Sequence, residues 1–232
     1  MSRRVLPLAA VLALMLIPAL ALRAAEGDEA KRLAAAATAL DEIMGASDKG
    51  VPRSIMEKAE AVAVFPSMLK GGLVVGAQHG RGVISARDKK NGGWSSPAFL
   101  SITGGSLGAQ IGAQAIDLLL VVNNQRGLEQ LVQNQFKIGA DAGVAAGPVG
   151  REAAAATDIQ LRAQILSYSR SRGLFAGVTI NGSTISQDRD ANDRFYGMGY
   201  RTGQIIFDGL GEKPLSADAV STWKATLGKY GK

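Results

Sequence analysis

Cysteine is absent from the 232 residues, and histidine occurs once, at His79. These two shortages remove a good deal of chemistry. No disulfide, thiol nucleophile or cysteine metal site can be built. One histidine and no cysteine give no Cys–His pair and no metal cluster of the zinc type. Aromatic residues are scarce at 5%, and no segment reads G-x-x-x-x-G-K-[ST], so no specific nucleotide signal is present. Downstream of the N-terminus, no apolar run is long enough to span a membrane. Glycine, by contrast, is abundant at 29 residues, and hydrophobic residues make up 47%. Many positions therefore favour close backbone approach over bulk.

The N-terminus reads as a secretory signal over residues 1–21. Arg3 and Arg4 form a basic start, Val5 to Ile17 an apolar run, and Ala19-Leu20-Ala21 a cleavage site. The expected product is exported, periplasmic or extracellular, and has no cysteine for lipid attachment. About 210 residues then remain, enough to bury a core without disulfides. No composition break divides residues 26–230, so one domain is expected there. Formal charge is +6 for the whole chain, and loss of Arg3 and Arg4 leaves a mild basic excess. For an exported protein this favours anionic surfaces such as lipid headgroups over nucleic acid.

Hydrophobic periodicity predicts helices at both ends and strands between them. Asp28 to Met44 repeats Leu33, Ala36, Leu40 and Ile43 at helical spacing, with Gly45 as a stop. A short helix starts at Pro52 or at Ser54, where Ser54 and Glu57 form a capping-box pattern. Asn123-Asn124 caps another short helix. Ser216 to Leu227 forms a terminal helix ended by Gly228. Thr103 to Val122 alternates with a period of two and reads as one central, bent strand. Asp117 is the one charged residue in its apolar half. Phe136 to Ala146 and Thr157 to Arg172 read as two further long strands. Asn181-Gly182 predicts a hairpin that pairs Leu174–Ile180 with the residues after Gly182. Gly76-Ala-Gln-His-Gly80 echoes Gly108-Ala-Gln-Ile-Gly112, which marks two strands with the same glycine use. The predicted fold class is α+β: a single domain with a long, bent, partly barrel-like antiparallel sheet and helices at its ends.

Candidate chemistry is thin. Gly104-Gly-Ser-Leu-Gly108 matches the nucleophile elbow G-x-S-x-G, which needs a strand–turn–helix context and a downstream histidine. His79 lies upstream, and a strand pattern follows Ser106. Asp188, Asp190, Asn192 and Asp193 begin like a calcium loop. Asp193 then stands where glycine is required and Gly199 where a bidentate glutamate is required. A solvated turn with capping acids fits better. His79 beside glycine reads as a surface residue. What remains is a set of cations able to meet phosphate groups: Lys58, Lys70, Arg81, Arg87, Lys89, Lys90, Arg170 and Arg172.

Several stretches then resemble a known family. They are Ala61-Val-Ala-Val-Phe-Pro66, Lys70-Gly-Gly72, Gly93-Trp94-Ser-Ser-Pro97, Thr103-Gly-Gly105, Gln110-Ile-Gly112, Phe136-Lys-Ile-Gly-Ala-Asp141, Ala145-Ala-Gly-Pro-Val-Gly150 and Tyr168-Ser-Arg-Ser-Arg-Gly-Leu-Phe-Ala-Gly177. In this order they resemble the SYLF domain, the YSC-type actin-binding domain of fungi, over roughly residues 30 to 200. The resemblance is greatest to an exported bacterial branch. It implies membrane binding, with phosphoinositides as ligands of eukaryotic members, and no enzyme activity or cofactor. The expectation is thus non-enzymatic binding of an anionic phospholipid surface through those eight cations. Eukaryotic members also use an amphipathic N-terminal helix at the membrane; here Asp28 to Met44 is mostly alanine with no aromatic. The alternatives are a structural or protein-interaction module of the cell envelope and a hydrolase using Ser106.

Overall fold

The computed structural model describes residues 27–231 apart from 47–49, 73–74, 90–91, 108–111, 142, 151–162, 172–173, 178–179, 181, 198 and 212. The signal expected at 1–21 lies outside these residues, as do Lys90, Arg172 and the first part of the strand expected from Thr157. The elements are α1 (27–44), α2 (Arg53–Lys58), β1 (Ala61–Gly72), β2 (Val75–Asp88), β3 (Gly93–Trp94), β4 (Ala98–Leu107), β5 (Gly112–Val122) and α3 (Gln125–Leu131). They continue with β6 (Gln135–Lys137), β7 (Val144–Ala146), β8 (Ile165–Ser171), β9 (Leu174–Gly177), β10 (Ser183–Gln187), α4 (Arg189–Tyr196), α5 (Thr202–Phe207) and α6 (Ala217–Tyr230). No described helix is long and apolar enough to cross a membrane. The α+β class and the helices at both ends are as expected.

One sheet runs in the order β6-β10-β4-β2-β1-β5-β8-β7, with β3 on β2 and β9 on β8. It curls into a half-barrel. Glycine replaces side chains at two positions of its inner face. A Cβ on Gly82 would stand 2.5 Å from the Phe65 ring, and one on Gly80 would stand 2.8 Å from the Met68 side chain. Phe65 and Met68 fill those spaces and are fully buried. Leu100, Ile102, Ile116, Leu118, Phe136 and Ile185 complete the inner core. Both faces of the sheet's lower half are covered, so Val62, Val64, Leu119 and Val121 are buried on the outer side too.

The outer cover is α1 and α6. In α1, Leu33, Ala36, Ala37, Leu40 and Ile43 are buried at three- and four-residue steps. Long-range side-chain contacts then clamp the helix. Arg194 donates from both Nε and an Nη to Glu29 Oε1, at 3.2 and 2.7 Å. Arg32 meets Asp188 at 2.8 Å and lies 5.2 Å from the centre of the Phe99 ring. Tyr230 and Lys229 of α6 both donate to Asp41, at 2.7 and 3.0 Å. Burial alone pushes the Asp41 carboxyl up, but these two donors outweigh it and hold it below the usual range. Helix α6 is anchored by the Trp223 indole, which donates to the Ser85 hydroxyl at 2.9 Å. The apolar stripe of α1 is thus part of the core, and the side of this helix left to solvent carries Lys31, Ala34, Ala35 and Thr38.

Four local expectations change. Thr103–Val122 is two strands, β4 and β5, which are separated in the sheet by β2 and β1. The expected strand Phe136–Ala146 is broken: Gly139 takes φ +89°, and the Asp141 carboxylate accepts the Lys137 N–H between β6 and β7. Gly182 has the positive φ of a turn, but β10 pairs with β4 and β6 while β9 pairs with β8. Ile185 needs Ile102 and Phe136 beside it, and that burial overrides the hairpin preference of Asn181-Gly182. Finally, α6 runs through Gly228 to Tyr230, because Leu227 and Tyr230 bury against the domain.

Capping agrees more closely with expectation. Asn124 accepts the Gly127 N–H at 2.8 Å and starts α3. Pro52 precedes α2 without a side-chain cap, so the Ser54–Glu57 capping box does not form. Asp188 accepts the Ala191 N–H at 3.2 Å. The polar run Asp188–Tyr196 is therefore largely the helix α4 rather than a connection leading to one.

Candidate functional site

The described members of the expected set, Lys58, Lys70, Arg81, Arg87, Lys89 and Arg170, do not form one cluster. Arg87 is tied into the lower end of the sheet. Its Nε donates to the Ala59 carbonyl at 3.3 Å, and one Nη donates to the Met56 and Glu57 carbonyls, each at 3.1 Å. Its other Nη donates to the Gly231 carbonyl, and the guanidinium lies 4.5 Å from the centre of a Trp94 ring. Arg87 therefore joins the end of α2 to the end of α6, and burial lowers its pKa. Arg170 pairs with Glu42 of α1 and lies 3.7 Å from Asp117. Lys89 pairs with Glu60 at 3.0 Å. Lys58 is exposed on α2.

Strand register decides where Lys70 and Arg81 point. Lys70 shares its row with Gln78 and Gln114 on the inner face. Arg81 stands on the outer face, beside Ser101. The structure thus removes Arg87 and Arg170 from the set of free charges and separates the other described cations between two ends and two faces.

The outer face above α1 and α6 carries a grouping that sequence reasoning missed. Register aligns Lys137, Thr184, Thr103, His79, Leu69 and Ala115 in one row across six strands. Ser186, Ser101 and Arg81 form the next row. Adjacent strands lie roughly 4.8 Å apart, so each row is a nearly continuous surface. Lys137, Thr103, His79, Arg81 and Ala115 are exposed, and Leu69 is 60% exposed. Two carboxylates close to these rows are already engaged. Asp117 accepts the Ser67 N–H at 2.9 Å and faces Arg170, while Asp141 holds the Lys137 N–H. Lys137 and Leu69 are 68 residues apart in sequence, so no window of ordinary length could show them together.

Catalytic chemistry gains no support. Ser106 lies within β4 and pairs with Gly76, so no strand–turn–helix elbow forms there. The calcium-like run is taken up by α4. Asp193 accepts the Gly199 N–H at 3.0 Å, and the buried Asn192 accepts the Phe99 N–H at 2.9 Å. Among the described residues no group of three His, Asp or Glu side chains is placed to hold a metal ion.

The family described as Ysc84, Las17-binding protein actin regulator, matches residues 103–229, more than half of the chain. LAS seventeen-binding protein 3 of Saccharomyces cerevisiae is 33% identical over 196 residues, covering 83% of this chain and 42% of the relative. Protein YSC84 of the same yeast is 33% identical over 181 residues, covering 77% and 38%. SH3 domain-containing YSC84-like protein 1 of Homo sapiens is 34% identical over 173 residues, covering 74% and 49%. The chain thus spans half or less of the length of these three relatives. The motifs, the half-barrel and these matches together place the chain in the Ysc84 family, whose domain is also called SYLF.

Proposed function

We propose that this chain is a non-enzymatic module, exported from the cell, that binds anionic lipid headgroups at a membrane surface. The observation that carries this reading is the open upper part of the outer sheet face. There His79 and Arg81 stand beside an exposed Leu69, with Lys137 four strands along the same row, on a surface otherwise made of small and hydroxyl side chains. Cations meet phosphate oxygens, and one apolar side chain enters the headgroup boundary. The inner core is filled by Phe65, Met68 and their neighbours, so an acyl chain has no cavity to enter there. The lipid stays in the bilayer while its headgroup is read.

Co-sedimentation tests this. Protein lacking residues 1–21 should pellet with phosphatidylglycerol-containing vesicles, but not with phosphatidylcholine alone. Binding should fall as salt rises from about 0.05 to 0.5 M. Arg81→Glu combined with Lys137→Glu should abolish it, while Lys58→Glu should not. Vesicle binding indifferent to lipid charge, or indifferent to the double change, overturns the proposal.

A second reading is a protein-interaction module. It is favoured by the names of its relatives, which describe binding to LAS seventeen, and by the exposed Phe207, Leu210 and Leu215. One stoichiometric protein partner with no vesicle binding would favour it.

A further inference from the structure

A groove of about 520 Å³ runs between α5 and the segment 132–135, at the β6 edge of the sheet, where its Gln135 ends the row of Ser186, Ser101 and Arg81. Half of its lining residues are carboxamides: Gln133, Asn134, Gln135, Gln187 and Gln204. We infer that this groove binds a neutral saccharide of more than one ring.

Three observations lead there. First, some of the amides are held in place. Gln187 donates to the Val132 carbonyl at 3.0 Å and accepts the Thr202 N–H at 3.2 Å. Asn134 accepts from Arg189 at 2.8 Å through its oxygen, and Gln204 accepts the Arg201 N–H at 3.0 Å through its own. Both then keep an NH₂ group for a ligand. The Gln133 and Gln135 side chains make no hydrogen bond to another described residue and are exposed, so each offers a donor and an acceptor together. Such pairs match vicinal hydroxyls.

Second, an aromatic ring lies on the wall. Phe207 is 42% exposed, and its ring lies over Gly203, whose absent Cβ would stand 3.7 Å from it. An aromatic face is electron-rich and packs against the C–H face of a pyranose. Glycine at 203 keeps the floor beside the ring open.

Third, the groove carries one charge of each sign, Arg201 and Asp208, so it has no net preference for an anion. An extended peptide would need the free edge of β6. That edge is three residues long, and Asp141 already takes the Lys137 N–H. Polar walls disfavour a lipid tail. A groove of this size falls within the usual range for small-ligand sites.

Calorimetric titration of the full chain with maltotriose, cellotriose and chitotriose tests the inference. At least one should bind with Kd of about 1 mM or tighter. Phe207→Ala should weaken that binding at least tenfold, and Phe207→Trp should retain it. Gly203→Leu favours helix and should block the groove without lowering Tm. All three variants should bind anionic vesicles as the parent does, so this site and the lipid face succeed or fail separately. Absence of binding to all three sugars overturns the inference. So does sugar binding that survives Gly203→Leu, or a peptide from a displayed library that competes for the groove while the sugars do not.

Discussion

The Asp117 carboxylate accepts the backbone N–H of Ser67 at 2.9 Å, at the point where β1 bulges against β5. Two residues of β1, Pro66 and Ser67, there oppose the single residue Asp117, and Ser67 takes φ +50°. The bulge swings the upper half of β1 so that Leu69 stands on the outer face while Met68 goes inside. A lone charge in an apolar strand thus sets which residues reach the candidate membrane face.

Asp117→Ala should cost about 2 kcal/mol, since a charge-assisted hydrogen bond and a partner of Arg170 are both lost. Ser67→Gly should stabilise by about 1 kcal/mol, because glycine adopts a positive φ without strain. Urea denaturation of the two variants checks both signs. Equal destabilisation by both would contradict the role given to the bulge.

Gly82→Ala should destabilise by about 2–3 kcal/mol, because its Cβ would overlap the Phe65 ring and the Val64 carbonyl oxygen, each at 2.5 Å. Gly105→Ala, with no neighbour nearer than 3.9 Å, should change stability by less than about 0.5 kcal/mol. Thermal melts of the pair distinguish a curvature requirement from general glycine intolerance.

Arg87→Met should lower stability by about 3 kcal/mol and speed amide exchange in α6, since four carbonyls lose their donor. Arg81→Ala should leave Tm within about 1 °C. The expectation for vesicle binding is the reverse: Arg81→Ala weakens it, and folded Arg87→Met does not. Loss of binding in Arg87→Met with its fold intact would restore that residue to the site.

Arg194→Met should cost about 3 kcal/mol or more. Glu29 is 1% exposed and would keep a buried carboxylate without its partner. The double variant Arg194→Met with Glu29→Met should recover much of the loss, and a double-mutant cycle by chemical denaturation measures the coupling.

Stability should fall above about pH 10. Burial raises the Tyr196 and Tyr168 phenols well above their ordinary value, whereas the unfolded chain ionises near pH 10. The folded state then binds more protons than the unfolded one. Its stability is complete below the unfolded pKa and is lost as pH rises beyond it. Tyr196→Phe should flatten the alkaline decline, while costing about 1 kcal/mol at pH 7 from the lost bond to the Pro97 carbonyl. Melting curves between pH 8 and 11 give both values; an unchanged slope would exclude Tyr196 as a contributor.

Elements whose signals are local were legible in the sequence. Helix α1 showed its buried stripe as Leu33, Ala36, Leu40 and Ile43, and Asn124 was recognisable as a cap because the N–H it accepts is only three residues away. Strand pairing was not legible. Alternation locates a strand but does not name its neighbours, so β4 and β5 merged into one expectation, and Asn181-Gly182 implied a hairpin that burial of Ile185 overruled. The same limit applied to the site. A basic residue in sequence has no visible partner, and Arg87 and Arg170 found theirs at Gly231 and Glu42, more than a hundred residues away.

The sequence by itself determined the class of this protein. Absent cysteine, a single histidine and a glycine-rich alternating middle exclude most site chemistries and demand a bent sheet under helices, and ordered motifs identify the family. Only the tertiary structure decided which cations are free and what stands beside them. Register places Lys137, Thr103, His79 and Leu69 in one row, and all four are exposed there. Periodicity is a property of neighbours along the chain, whereas a binding surface is a property of neighbours across strands. Those neighbours are chosen by how the core packs.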